Sequence, residues 1–93
     1  MNGIELIVAT PCGEILHEFC ESVRLCTIDD EHGRGGGSLG IRRGHAPAIA
    51  ALAPGKVIGI RNDGSAVQTE VGGGIAAIGG NRVTILADGV REN

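Results

Sequence analysis

Lys56-Val57-Ile58-Gly59-Ile60-Arg61, Asn62-Asp63-Gly64-Ser65 and Ala66-Val67-Gln68-Thr69-Glu70-Val71 follow one another without interruption. Two short runs rich in β-branched residues flank an Asp-Gly pair, the strongest hairpin signal in the chain. Beyond the second run, Gly72-Gly73-Gly74 permits a bulge or sharp bend before Ile75 to Ile78. A turn at Gly79-Gly80-Asn81 then leads into a last strand from Arg82 to Ala87.

The same punctuation governs the first half. Ile4 to Val8 reads as a strand, Thr10-Pro11-Cys12-Gly13 as a turn, and Glu14 to Glu18 as the returning partner. Ser22 to Ile28 alternates, with Val23, Leu25 and Thr27 pointing one way and Arg24 and Cys26 the other. Cys26, inside this run, is expected to be a buried thiol. Asp29 to Gly37 has too little apolar surface to pack and is expected to form a mobile loop. Leu39 to Ile41 makes a brief strand into a turn at Arg43-Gly44. The alanines of Ala46 to Ala53 suit a helix, but Pro47 and Pro54-Gly55 leave it under two turns, so it is expected to be extended. About eight to ten short strands predict an all-β flattened sandwich or barrel. Its core is expected to include Val23, Leu25, Val57, Ile60, Val83 and Ile85.

Composition sets the limits. A chain of 93 residues is one modest domain that buries only about 60 to 65% of its extended surface, so a partner could add to its stability. With Phe19 the sole aromatic residue, the core must be aliphatic. Residues 1 to 88 are expected to form the domain and residues 89 to 93 a frayed tail. Net charge is −3, yet residues 32 to 61 contain Arg34, Arg42, Arg43, Lys56 and Arg61 and no acid. That positive segment suits an acidic partner surface. Cys12, Cys20 and Cys26 are odd in number and lack a Cys-x-x-Cys pair, which argues against a disulfide framework or zinc knuckle. No apolar stretch approaches the length of a membrane-spanning helix, so membrane association is expected only through a partner.

Catalytic and ligand motifs fare poorly. The run Gly33 to Gly40 is not followed by the Lys and Ser or Thr that a phosphate-binding loop places after its last Gly. Asp29, Asp30, Glu31 and His32 are contiguous, whereas cation loops space their ligands around the ion. No serine lies on a strand-to-helix elbow. An acidic chain without a stacking ladder does not suit nucleic acid. The expectation is no enzyme activity, no cofactor and no metal. The binding features gather instead at Gly40-Ile41-Arg42-Arg43-Gly44-His45-Ala46-Pro47, where a cationic pair, an imidazole and a stiffened turn share one loop. Pro47 restricts Ala46 to extended geometry and so helps aim His45.

Gly37 to Pro47 follows the phrase Gly-x-Leu-Gly-Ile-x-x-Gly-His-Ala-Pro. In this phrase the chain resembles the epsilon subunit of rotary F-type ATP synthases. Ile4 to Ile28, Leu52-Ala53-Pro54-Gly55, Gly72 to Gly74 and Val83 to Asp88 extend the similarity over nearly the whole chain. The resemblance implies the family's amino-terminal flattened β-sandwich and a non-catalytic place in the central stalk, or rotor. There it would couple the gamma subunit to the membrane c ring during ion-driven ATP synthesis or hydrolysis, at the cytoplasmic face of the membrane. It also implies a partner interface at Ser38, Leu39, Gly40, Ile41, Arg42, Arg43, Gly44, His45, Ala46 and Pro47, facing gamma and the ring loops. Ser38 stands where family members commonly carry an acid, and Arg42-Arg43 where a Leu-Pro or Tyr-Pro pair is usual. The helical hairpin that follows this domain in the family is expected to be absent. A different class is a biotinyl or lipoyl carrier domain, which Ala53-Pro54-Gly55-Lys56-Val57 faintly suggests, or another small protein-binding sandwich. A carrier presents its lysine at a hairpin tip, and Asn62-Asp63-Gly64 has none.

Overall fold

The computed structural model describes residues 3–28 and 37–88. The expected mobile loop, apart from Gly37, and the expected tail at 89–93 lie outside the described residues. Nine strands occupy the described chain: β1 (Ile4–Thr10), β2 (Gly13–Cys20), β3 (Ser22–Thr27), β4 (Gly37–Arg42), β5 (Ala48–Leu52), β6 (Gly55–Ile60), β7 (Ala66–Val71), β8 (Gly74–Gly79) and β9 (Arg82–Ala87). The fold is all-β, as the turn spacing predicts.

The strands form one curled sheet in the order β2-β1-β9-β8-β5-β3-β6-β7, with β4 beside β3. Two layers result. β2, β1, β9, β8 and β5 make the first; β4, β3, β6 and β7 make the second. They meet where Thr27 pairs with Leu52, reinforced by Ile28 N–H to Ala51 O at 3.0 Å and Ala53 N–H to Cys26 O at 3.1 Å. Elsewhere, Arg61 Nε donates to Glu18 Oε1 at 3.1 Å and ties the end of β6 to β2. All ladders are antiparallel except that of β1 with β9.

The hairpin between β6 and β7 turns on three residues. Gly64 N–H bonds Arg61 O at 2.9 Å, Arg61 N–H bonds Ser65 O at 2.8 Å, and Gly64 has φ 90°. This is the tight turn closed by a left-handed residue that a three-residue hairpin uses. Asp63 Oδ1 accepts from both the backbone N–H and hydroxyl of Ser65, which holds its carboxyl below the ordinary range.

Alternation fills the core from both layers. Ile4, Leu6 and Val8 of β1, Val83, Ile85 and Ala87 of β9, and Ala76 and Ile78 of β8 face Val23, Leu25, Ile41, Val57 and Val71 across the sandwich. Ile60 departs from expectation. Period two along β6 turns Val57 and Gly59 inward, leaving Ile58 and Ile60 half-buried on the outer side. Gly59 takes the inward place because a Cβ there would lie 2.5 Å from Cys20 Sγ and 3.2 Å from Leu6. Cys26 departs too. It is half-buried on the outer side of β3, close to Gly55, while Cys20 is the buried thiol, its pKa pushed up by that burial.

Candidate functional site: a cationic turn at one end of the sandwich

The segment from Ser38 to Pro47 divides by exposure. Ile41 is buried in the core and Leu39 leans against it, so these two side chains fasten the segment. Ser38, Gly40, Arg42, Arg43, Gly44, Ala46 and Pro47 are exposed, and His45 is half-buried. β4 thus delivers Arg42 to the end of the sandwich with its neighbour locked below.

The chain reverses at Arg42-Arg43-Gly44-His45, where His45 N–H donates to Arg42 O at 3.1 Å. Gly44 has φ 83° at the third position, which a type II turn reserves for glycine. The ring Nδ1 of His45 donates to Ala46 O at 2.7 Å, leaving Nε2 without a partner among the described residues. Pro47 lies beside Gly79, where a Cβ would meet it at 3.7 Å.

Asn81 holds this turn in place, a role its sequence context did not reveal. Its Oδ1 accepts from Gly44 N–H at 2.9 Å, and its carbonyl accepts from Glu5 N–H at 2.9 Å. Asn81 itself sits at φ 57°, a left-handed conformation that asparagine tolerates better than most residues. One residue therefore joins the cationic turn, the β8–β9 turn and the start of β1. Asn81→Ala is expected to destabilise the chain by about 1–3 kcal/mol. Asn81→Gly keeps the backbone geometry and should cost only about 0.5–1.5 kcal/mol for the lost hydrogen bond. Denaturant melts of the pair check this; equal losses would assign the whole effect to the side chain.

The charges around the turn are unevenly committed. Arg82 Nε donates to Glu5 Oε1 at 2.8 Å, and His17 Nε2 meets Glu5 Oε2 at 2.6 Å. Arg82 and then His17 hold the Glu5 carboxyl below its ordinary range, and Arg61 does the same for Glu18. By contrast, the side chains of Arg24, Arg42 and Arg43 form no hydrogen bond or ion pair among the described residues. Those guanidinium groups are uncommitted within the described part of the chain.

A second exposed surface is apolar. Ile75 of β8 stands opposite both Leu86 and Ala51, and Ile49 stands opposite Ala77. Ile49, Ile75 and Leu86 are 79%, 51% and 60% exposed, which makes a contiguous patch of the kind that marks interaction sites. The described residues gather no metal-binding group of three His, Cys, Asp or Glu side chains. Lys56 lies within strand β6 opposite Glu70, away from the hairpin tip.

Comparison with known proteins agrees with the fold. In the Euglena gracilis mitochondrial ATP synthase, in a cryo-EM structure of OSCP/F1/c-ring, one chain superposes with a TM-score of 0.80. That superposition is 22% identical in sequence and covers 98% of this chain and 54% of the other. The Tetrahymena thermophila mitochondrial ATP synthase central stalk/c-ring contains a chain with the same fold at TM-score 0.67, 17% identical, covering 98% of this chain and 67% of that one. The ATP synthase epsilon chain of Symbiobacterium thermophilum is 32% identical over 88 residues, 95% of this chain and 58% of its own length. That of Bordetella petrii is 44% identical over 70 residues, 75% of this chain and 47% of its own length. The chain thus spans about half the length of the curated relatives it matches. The family model described as ATP synthase, Delta/Epsilon chain, beta-sandwich domain matches residues 3–93, and the chain belongs to that family.

Proposed function

We propose that this chain is a non-catalytic rotor module of an F-type ATP synthase, standing between the gamma subunit and the membrane c ring. The observation that carries this reading is the family match over residues 3–93. The two exposed surfaces support it. A module gripped by two partners needs faces of different chemistry, and here an apolar patch on the first layer accompanies a cationic turn at the sandwich end. Its part in the synthase is mechanical: it couples rotation of the ring to the stalk during ion-driven ATP synthesis or hydrolysis. Association with the membrane follows from the complex, at the cytoplasmic face.

Within this reading, Arg42, Arg43 and His45 face the partner, while Ile41, Leu39 and Asn81 position them. Arg42→Ala with Arg43→Ala should leave the melting curve unchanged within about 0.5 kcal/mol, since both side chains are exposed. Capture of purified gamma and c ring should fall, and more so at low salt than at moderate salt, where screening has already weakened the contact. Wild-type chain that captures neither component would remove the functional assignment. Capture unaffected by the double substitution would keep the assignment and remove the two arginines from the interface.

A further inference from the structure

The outer face of the second layer holds a depression bordered by Ser22, Arg24, Gly40, Arg42, Ile58 and Ile60. Strand register builds it. Arg24 of β3 lies opposite Gly40 of β4 on one side and Ile58 of β6 on the other, while Ser22 lies opposite Arg42 and Ile60. Arg24 and Arg42 are therefore diagonal neighbours on adjacent strands, at about 7–8 Å. Two long guanidinium arms can meet one carboxylate across that spacing. Among the described residues no acid borders the depression, and neither arginine side chain is paired among them.

Gly40 supplies the opening. It is not among the left-handed glycines, and a Cβ built on it would meet nothing within 4 Å. Nothing inside the described chain requires glycine at this place, although glycine inside a strand weakens it. Its missing side chain leaves free the space beside Arg24.

We propose that this depression receives a Glu or Asp side chain of a partner protein, clasped by Arg24 and Arg42, with Ile58 and Ile60 covering its aliphatic stem. The proposal rests on the rotor-stalk reading for the partner's identity. Apolar walls suit a side chain with a hydrocarbon stem better than a free phosphate. A phosphate site draws on backbone N–H groups at a helix end or a nest, and here β3 spends its ladder on β4 and β6. The cleft also continues into the cationic turn through Arg42, so one surface of the chain carries both.

The test measures the Kd of the chain for a purified gamma–c-ring subcomplex. Arg24→Ala removes one arm. Gly40→Glu plants a carboxylate beside both arms from within and should occupy the site. Each is expected to weaken binding about tenfold or more. Lys56→Ala removes an equal charge from an exposed place outside the depression and should change binding less than about twofold. Thermal melts accompany each variant, and a variant that does not fold is replaced by Arg24→Lys, which keeps charge but not the fork and should also weaken binding. Wild-type chain that fails to bind overturns the stalk reading and the partner with it. Wild-type binding with Arg24→Ala and Gly40→Glu unchanged overturns the cleft alone, as does an equal loss in Lys56→Ala. A second readout follows the arginine Nε–H resonances by NMR during titration with acetyl-tetraglutamate amide or inorganic phosphate. Movement of Arg24 and Arg42 with the peptide is expected; movement with phosphate only would overturn the carboxylate assignment.

Discussion

Gly74→Ala is expected to destabilise the chain by about 3–5 kcal/mol, the strain of its backbone adding to a clash that cannot relax. Gly74 has φ 141°, a conformation that residues with a side chain rarely adopt. It opens β8 just after the chain has crossed from the second layer at β7 to the first. A Cβ here would strike the carbonyl oxygen of Leu86 and lie 2.9 Å from the Cα of Ala87. Both obstacles are backbone of β9, so no rotamer change makes room. Relief requires β8 to move away from β9, which also disturbs the pairing of Gly74 with Leu52. Gly13→Ala makes the contrast. Gly13 also has a positive φ, 127°, but a Cβ there meets nothing within 4 Å, so only the strain of about 1–3 kcal/mol applies. Urea melts of the two variants check the prediction. Equal losses would show that β8 yields to the added methyl without cost.

The hairpin and the glycine bend were legible because their signals are local. Asn62-Asp63-Gly64 can do little but turn between two β-branched runs, and the run Gly72 to Gly74 marks the place where the chain changes layer. The stretch around Ala48 to Leu52 was also readable as extended, since the prolines at 47 and 54 deny it the length of a helix. What stayed hidden depends on residues distant in sequence. The parallel pairing of β1 with β9 joins Glu5 to Arg82 and Val8 to Ile85, and no local pattern announces it. Ile58 and Ile60 resemble core residues as strongly as Val57 does. Only the space taken by Cys20 explains why glycine fills the inward position between them. The site was half visible for the same reason. A loop bearing Arg42, Arg43 and His45 shows its charge in the sequence, whereas Asn81 becomes its support, and Arg24 its neighbour, only when the strands are laid side by side.

Ile85→Ala is expected to cost about 2–5 kcal/mol, the range for removing a large aliphatic side chain from a filled interior. Ile85 has 0% exposure and sits midway along β9, between Val8 of β1 and Ala76 of β8. Its neighbour Ala76, also at 0% exposure, has no side chain long enough to swing into the space vacated. The ladders on both sides hold the backbone, so the cavity cannot collapse by moving β9 alone. Both terms of the loss, transfer of the side chain and the void it leaves, therefore act together. Leu86→Ala is the internal comparison. Leu86 is the next residue in the same strand but is 60% exposed on the outer face, and its truncation should change stability by no more than about 0.5 kcal/mol. The difference between adjacent positions isolates burial from strand propensity and from the hydrogen-bond ladder, which both variants retain. Denaturant melts that put Ile85→Ala within about 0.5 kcal/mol of wild type would mean the two layers do not close over β9. A large loss in Leu86→Ala would instead mean that its outer face is covered in solution, and the apolar patch would then have to be assigned to a contact between copies of the chain.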